Sequence, residues 1–346
     1  MPTRLDALTT WLHEVLHSAA NNASPSADFQ LAPASEDASF RRYFRVTGSA
    51  VASCFDGAGE SLIVMDAPPD KEDSHPFVTI SSLLADAGLN VPQVFAKDLA
   101  QGFLLLSDLG TQAYLDALNE HTVEPLYAAA LDALFKMQRN ASQHVAELPV
   151  YDETLLLNEM ALFADWYCQQ YREWVFTDEQ RGRLDRVFQQ LCEAALAQPQ
   201  VFVHRDYHSR NLMVTEGHNG GHGTPGILDF QDAVLGPVTY DLVSLLRDCY
   251  IDWPRSRVEQ WALKYLYRVA SAGLLPPATD VAYLRWFDWM GVQRHLKAAG
   301  IFARLHLRDN KSTYLADIPR TLAYVRDVSA RYPELRDLHS LLDELA

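Results

Sequence analysis

Apolar positions recur along this chain with two different periods. Leu5, Leu8, Leu12, Val15 and Leu16 fall at helical spacing among Asp, Glu and His, and predict an amphipathic helix over 4–18 that the Asn- and Pro-containing stretch 20–26 ends. Over 39–46 the pattern changes to alternation: Phe40, Arg42, Phe44 and Val46 share one face of a strand, and Arg41, Tyr43 and Arg45 the other. Residues 61–66 predict a further strand. A helix over about 75–88 closes at Gly88, and Val91-Pro92 begins another extended segment. Residues 103–110 read as a buried strand that leaves the sheet at Ser107-Asp108. From 111 onward the helical period dominates. Leu126, Ala130, Leu134 and Met137 make one stripe, and Thr177 caps a helix whose core side is Leu184, Val187, Phe188, Leu191 and Ala195. Val258, Trp261, Ala262, Tyr265, Leu266 and Val269 make another stripe, and 283–300 form a last, aromatic-rich helix.

Two short apolar runs break this regime. Residues 201–203 lead into His204-Arg205-Asp206, with Asn211 five residues beyond the aspartate, and Gly226-Ile227-Leu228 lead into Asp229. Each is a buried strand delivering polar side chains to its end. An isolated Asp or Asn at a strand end is usually a turn former or helix cap. This conjunction is much harder to obtain by accident, and it matches what phosphoryl transfer needs: an aspartate to accept a hydroxyl proton, and an asparagine and an aspartate to hold magnesium. Magnesium wants hard oxygen ligands and takes one or two carboxylates beside phosphate oxygens and water. The expectation is therefore Asp206 as catalytic base, acting on the substrate, with Asn211 and Asp229 as metal ligands and ATP and Mg2+ as cofactors.

These residues, followed by Gly236-Pro237 and Tyr240-Asp241-Leu242, resemble the aminoglycoside phosphotransferase and choline kinase superfamily over about residues 30–330. Within it, 37–46 and 62–69 are most similar to the bacterial anomeric kinases for N-acetylmuramate and N-acetylglucosamine, which serve cell-wall recycling. The resemblance implies an α+β, protein-kinase-like bilobal fold: a small antiparallel-sheet lobe over 1–107 and a larger, mainly helical lobe over 108–346. It implies an ATP-dependent kinase that makes an amino-sugar 1-phosphate. A kinase for an aminoglycoside or amino alcohol, and a catalytically silent nucleotide-binding module, stay open as alternatives.

By the same resemblance, Ser39 and Arg42 meet the nucleotide phosphates, where this chain lacks a glycine-rich loop. The backbone of Leu105, Leu106 and Ser107 meets the adenine edge, and Asn211 joins the nucleotide through its metal. His204 supports the catalytic loop. Asp206, Arg210 and Asp232, with Trp286, Trp289, Arg294 and His295 on the last aromatic-rich helix, are the acceptor-site candidates. The lactyl carboxylate of muramate would need a donor such as Arg294 or His295, or open solvent. For Asp232, metal binding and a turn role also stay open, and Asp241 reads as a helix cap or first-turn carboxylate. The third strand carries Met65 and Asp66 where kinases place a phosphate-binding lysine, and the helix after it has no early acidic partner. Losing both together is coherent, because either charge alone would be buried unpaired.

Composition narrows the partners. With 346 residues, 48% hydrophobic and 21% charged, the chain can build a substantial core, and its formal charge of −16 argues against nucleic acid or an anionic membrane. Four cysteines without paired spacing suggest reduced thiols in a cytoplasmic protein. The sequence has no run of eighteen apolar residues and no basic-then-apolar N-terminal pattern, so neither a membrane span nor a signal peptide is expected. The glycine-rich tip 216–226 contains His218 and His222 but has nothing to fix them as metal ligands. The partner expected is a small-molecule amino sugar; oligomeric state is left open.

Overall fold

The computed structural model describes residues 3–19, 29–36, 40–48, 51, 55, 59–142, 148–216 and 223–345. Ser39, His218 and His222, singled out above, and Cys54, one of the four cysteines, lie outside the described residues. Packing divides the chain into two compact units, Met1–Gln112 with Met213–Gln231, and Ala113–Leu212 with Asp232–Ala346. The boundary thus falls a few residues beyond 107, and the segment carrying Asp229 packs with the N-terminal residues.

The first unit opens with α1 (Arg4–Ala19), followed by β1 (Gln30–Glu36), β2 (Arg42–Thr47), β3 (Ser61–Asp66), α2 (His75–Asp86), β4 (Val94–Asp98) and β5 (Phe103–Ser107). The strands form one antiparallel sheet in the order β1-β2-β3-β5-β4. Its register aligns Phe44 with Val64 and Val46 with Leu62, and Val64 with Leu105. That apolar face is covered by Leu8, Trp11, Leu12 and Leu16 of α1, with Trp11 and Phe103 ring centroids 5.7 Å apart. Burying this stripe is what docks the helix. The β4–β5 turn needs Gly102: at φ 75° only glycine is unstrained, and a Cβ there would sit 1.8 Å from the Ala67 carbonyl oxygen.

The second unit is led by helices: α3 (Tyr114–Ala117), α4 (Val123–Asn140), α5 (Glu153–Leu162) running into a π-helix over Phe163–Tyr171, and α6 (Asp178–Leu196). Thr177 caps α6 in a capping box with Gln180, and the side expected to be core is buried. Then come β6 (Gln200–Val203), β7 (Leu212–Met213), where the chain passes to the first unit, β8 (Gly226–Ile227) in that unit, and β9 (Val234–Pro237). β6 pairs with β9 and β7 with β8.

α7 (Tyr240–Leu246), α8 (Arg255–Ser271), α9 (Asp280–Asp309), α10 (Ile318–Arg331) and α11 (Arg336–Leu345) complete the unit. All six residues of the expected 258–270 stripe are buried in α8. α9 is its axis. It runs 30 residues, from the Thr279 cap to Asn310 at φ 56°, and packs on α5, α6, α7, α8, α10 and the π-helix. Gly300 permits that closeness, since a Cβ there would lie 2.3 Å from the Leu162 carbonyl carbon. Between Phe287 and Lys297 every residue of α9 is buried, including Asp288, Gln293, Arg294, His295 and Lys297. Polar groups in that position need partners.

Candidate active site

In the second unit, the loop from His204 to Asn211 is held from below by carboxylates. Asp241 accepts the amide N–H of His204 at 2.7 Å and of Arg205 at 3.0 Å. Its first-turn position on α7 was legible, but its partner is the loop and not its own helix. Burial pushes the Asp241 carboxyl up to about 7 against those two bonds. Asp248 accepts the Ser209 amide at 2.9 Å and the Tyr250 amide at 3.0 Å. Arg205 sits at φ 77°, a strained conformation for a non-glycine residue that such anchoring maintains. His204 is buried, and its Nδ1 takes the Asp206 amide at 3.3 Å, consistent with a supporting role.

Asp206 is half-buried. Burial raises its carboxyl, but Lys297, His208, Arg294 and Arg205 together bring it below the ordinary value. It is therefore a carboxylate at neutral pH, the form a proton acceptor needs. Asn211 donates from Nδ2 to the Asp206 carbonyl at 3.0 Å, which ties its amide to the same loop.

Lys297 was not singled out by the sequence, nor was Glu159. Glu159 pairs with Lys297 at 2.9 Å and with Arg205, and it accepts from the Tyr151 hydroxyl. Lys297 also donates to the Tyr240 hydroxyl at 3.0 Å. Burial raises Glu159, and Lys297 and Arg205 more than offset that. The signal available was a lone acid and a lone lysine in otherwise apolar helix stretches, which reads equally as a solvated face.

In the first unit, Asp229 follows β8 at φ 63°, and its Oδ1 accepts the Gln231 amide at 2.8 Å. Phe230 packs on Phe77 of α2 with centroids 4.9 Å apart, and Ile227 donates to the Asn90 carbonyl at 2.8 Å. The unit thus fixes this carboxylate from both sides.

Arg42 lies on the α1 face of the sheet, opposite Asp66 in the register. Both its Nε, at 3.1 Å, and its Nη2 bind the fully buried Asp66 carboxylate, whose other oxygen takes Arg4 Nε at 2.6 Å. Arg45 is engaged by Asp108 and the Gly110 carbonyl. Arg41, on the opposite face from Arg42, is buried and pairs with Glu72 at 2.9 Å. Lys71 is exposed and 3.9 Å from Asp70. β5 has a strand on each side, so the main chain of Leu105 and Leu106 faces the ladders to β3 and β4, and the Ser107 N–H goes to Gln93 at 2.9 Å.

The acceptor-site candidates separate. Arg210 is exposed, its guanidinium carbon 3.8 Å from the Tyr250 ring centroid. Asp232 is exposed, and its carbonyl accepts Arg205 Nη1 at 3.3 Å. Trp286 is half-buried beside Tyr283. Trp289 is buried under Arg285, 4.0 Å from its ring centroid, and against Tyr332, which makes it a packing residue. His295 is also packing: its Nε2 meets the Arg247 carbonyl at 2.8 Å, it stacks on Tyr324, and burial pushes its pKa down to about 3. Arg294, beside it in sequence, is buried next to Cys249 and within electrostatic reach of Asp206.

Known proteins align with this arrangement. The model of the phosphotransferase enzyme family matches residues 30–271. The chain is 47% identical to an N-acetylmuramate/N-acetylglucosamine kinase of Pseudomonas putida, across 99% of this chain and 96% of that one. It is 45% identical to its namesake in Pseudomonas aeruginosa (99% and 97%) and 42% to that of Neisseria meningitidis (98% and 95%). Among solved structures, an ethanolamine kinase of Plasmodium vivax matches with TM-score 0.60 at 12% identity, covering 90% of this chain and 86% of that one. The GDP complex of aminoglycoside 2'-phosphotransferase-IIIa matches with TM-score 0.58 at 15% identity, covering 92% and 98%. Those two share the kinase-like fold expected from the sequence. With the family model spanning most of its length and close relatives spanning nearly all of it, the chain belongs to the phosphotransferase enzyme family.

Proposed function

We propose that the enzyme transfers the γ-phosphoryl group of ATP to the anomeric hydroxyl of N-acetylmuramate and N-acetylglucosamine, giving sugar 1-phosphates in cell-wall recycling. The observation that carries this is identity of 42–47% along essentially the whole chain to kinases that bear those two sugars in their names. Asp206 orients the hydroxyl and accepts its proton. An anomeric hydroxyl is more acidic than an ordinary alcohol, so one ionised carboxylate suffices. The rest is positioning and charge neutralisation.

Asn211 and Asp229 are the proposed magnesium ligands. An amide oxygen and a carboxylate are the hard donors that ion takes, and held there it would supply charge neutralisation for the phosphates. For the phosphates, Arg41 is favoured over Arg42, because Arg42 shares the α1 face and is committed to Asp66. Arg41 with Glu72 then stands in for the missing lysine–glutamate pair. Adenine contacts fall to Asp108–Gly110, just past the paired strand. Among the described residues no helix is long and apolar enough to cross a membrane, and the supply of ATP supports a cytoplasmic setting.

The aminoglycoside alternative is disfavoured by charge. Lys297, Arg294 and Arg205 all act on Asp206, and a polycationic acceptor would be repelled by them. Turnover with magnesium-ATP against amino sugars, aminoglycosides and amino alcohols tests the reading. Turnover of the two N-acetyl sugars is expected, and a preference for an aminoglycoside or choline would overturn it.

A further inference from the structure

Four arginines and lysines are under a tenth exposed among the described residues: Arg41, Arg247, Arg294 and Lys297. Three have a carboxylate partner, Glu72 at 2.9 Å, Asp288 at 3.4 Å and Glu159 at 2.9 Å. Arg294 has none within 4.0 Å among the described residues. Its one hydrogen bond runs from Nη1 to Cys249 Sγ at 3.7 Å, and its buried Nε has no partner. Asp248, the nearby acid, does not fill the gap, since its two oxygens hold the Ser209 and Tyr250 amides. The guanidinium stays charged: burial works against it, but Cys249, Tyr240, Asp206 and Asp248 raise it further. A buried, charged fork of donors without an anion is costly to maintain. Its fit is to a planar carboxylate, which it can bind through two parallel bonds.

The surroundings agree. His208, two residues from Asp206 in sequence, is held below the ordinary imidazole value first by burial and then by Arg294 and Arg210. Arg210 is exposed, lies over Tyr250 and Tyr314, and has no carboxylate within 4.0 Å among the described residues. An inner and an outer guanidinium therefore flank one loop beside the proton acceptor, in a chain of net charge −16. His295, the other donor considered for an acid group, meets the Arg247 carbonyl through Nε2 and stacks on Tyr324, and burial keeps its ring uncharged at neutral pH.

We propose that Arg294 receives the lactyl carboxylate of N-acetylmuramate and so sets the preference between the two sugars, an inference that rests on the amino-sugar kinase reading above. The two acceptors differ only in the 3-O-lactyl ether, so a residue that meets its carboxylate acts on one of them alone. An arginine serving the transferring phosphoryl group would act on both.

The test compares kcat/KM of the unaltered enzyme on N-acetylmuramate, on its lactyl amide and on N-acetylglucosamine, and repeats it with Arg294→Gln. The amide should lose roughly ten- to a hundredfold against the acid, the range of a charge-assisted bidentate bond. Arg294→Gln should lower the muramate-to-glucosamine ratio by a similar factor and erase the difference between acid and amide. Equal use of acid and amide by the unaltered enzyme overturns the proposal, whether or not the variant folds. So does a variant that loses both sugars by one factor, which would assign Arg294 to the phosphoryl oxygens. If the unaltered enzyme phosphorylates neither sugar, the amino-sugar reading itself falls; if it takes N-acetylglucosamine and ignores the lactyl charge, only the present proposal does.

Discussion

Asp66 in the first unit and Glu159 in the second are both buried carboxylates that hold two cations each, yet the cations differ. Arg4 and Arg42, on Asp66, have side chains 32% and 51% exposed, whereas Arg205 and Lys297, on Glu159, are 19% and 9% exposed. Exposed partners keep much of their hydration, so the Asp66 cluster fastens α1 to the end of the central strand and leaves little charge for a ligand. The Glu159 cluster is desolvated, and one carboxylate faces two cations, with Arg294 close by and unpaired. The remainder is a standing positive field on Asp206. A reaction that builds negative charge on phosphoryl oxygens benefits from such a field, already in place before the substrate arrives. Paired charge at the surface marks structure here; unmatched charge under the catalytic loop marks chemistry.

The sharpest way to break this contrast is at the base. Asp206→Asn should retain nucleotide binding and lose about 10²–10⁴-fold in turnover, measured by ATP consumption beside nucleotide titration. Glu159→Ala should destabilise the fold by about 3–5 kcal/mol in denaturant unfolding, since it strands two buried cations. Glu159→Gln sharpens the point through pH. The folded pKa lies below its ordinary value, so unfolded chains bind the extra proton. Its stabilisation is complete above that ordinary value and is lost as pH falls through the lowered one. The Gln variant should show a flatter acid limb in unfolding.

Asn211→Ala and Asp229→Ala should raise the magnesium requirement, Asp229 more because it supplies charge. Gln231→Ala, which removes one hydrogen bond to the Asp229 carboxylate, should cost ~10–100-fold in metal affinity, read from activity against metal concentration. Arg41→Ala should raise the ATP requirement by about ten- to a hundredfold, as loss of a charged hydrogen bond does. Arg42→Ala is the smallest effect: within about 1 kcal/mol in stability, with the ATP requirement little changed. The reverse ranking of the two arginines would restore Arg42 as the phosphate contact.

Much of the architecture was legible because it is local. The α1 stripe, the Gly88 stop, the Thr177 cap and the α8 stripe are set by period and capping within a few residues. The loop from His204 to Asn211 stood out in the sequence because phosphoryl transfer asks for set residue types at short spacing. What escaped was tertiary. Alternation separated Arg41 from Arg42 correctly, but which face α1 covers depends on docking that no strand pattern encodes. β5 read as an apolar strand either way; that β3 and β4 flank it on both sides depends on the order of the sheet. Lys297 and Glu159 are charged residues on helices, and only the packing of α9 against α5 shows that they are buried together. The aromatics of α9 misled for the same reason: Trp289 and His295 are consumed by neighbours, while Arg294 between them is not.

The central claim is that the phosphoryl group lands on the anomeric oxygen, and product NMR tests it most directly. N-acetylglucosamine turned over with magnesium-ATP should give a product whose phosphorus couples to the anomeric proton, and the methyl glycoside, blocked at C1 and open at C6, should be inert. Phosphorylation of the methyl glycoside at C6 would contradict the anomeric assignment and leave a sugar kinase of different regiochemistry.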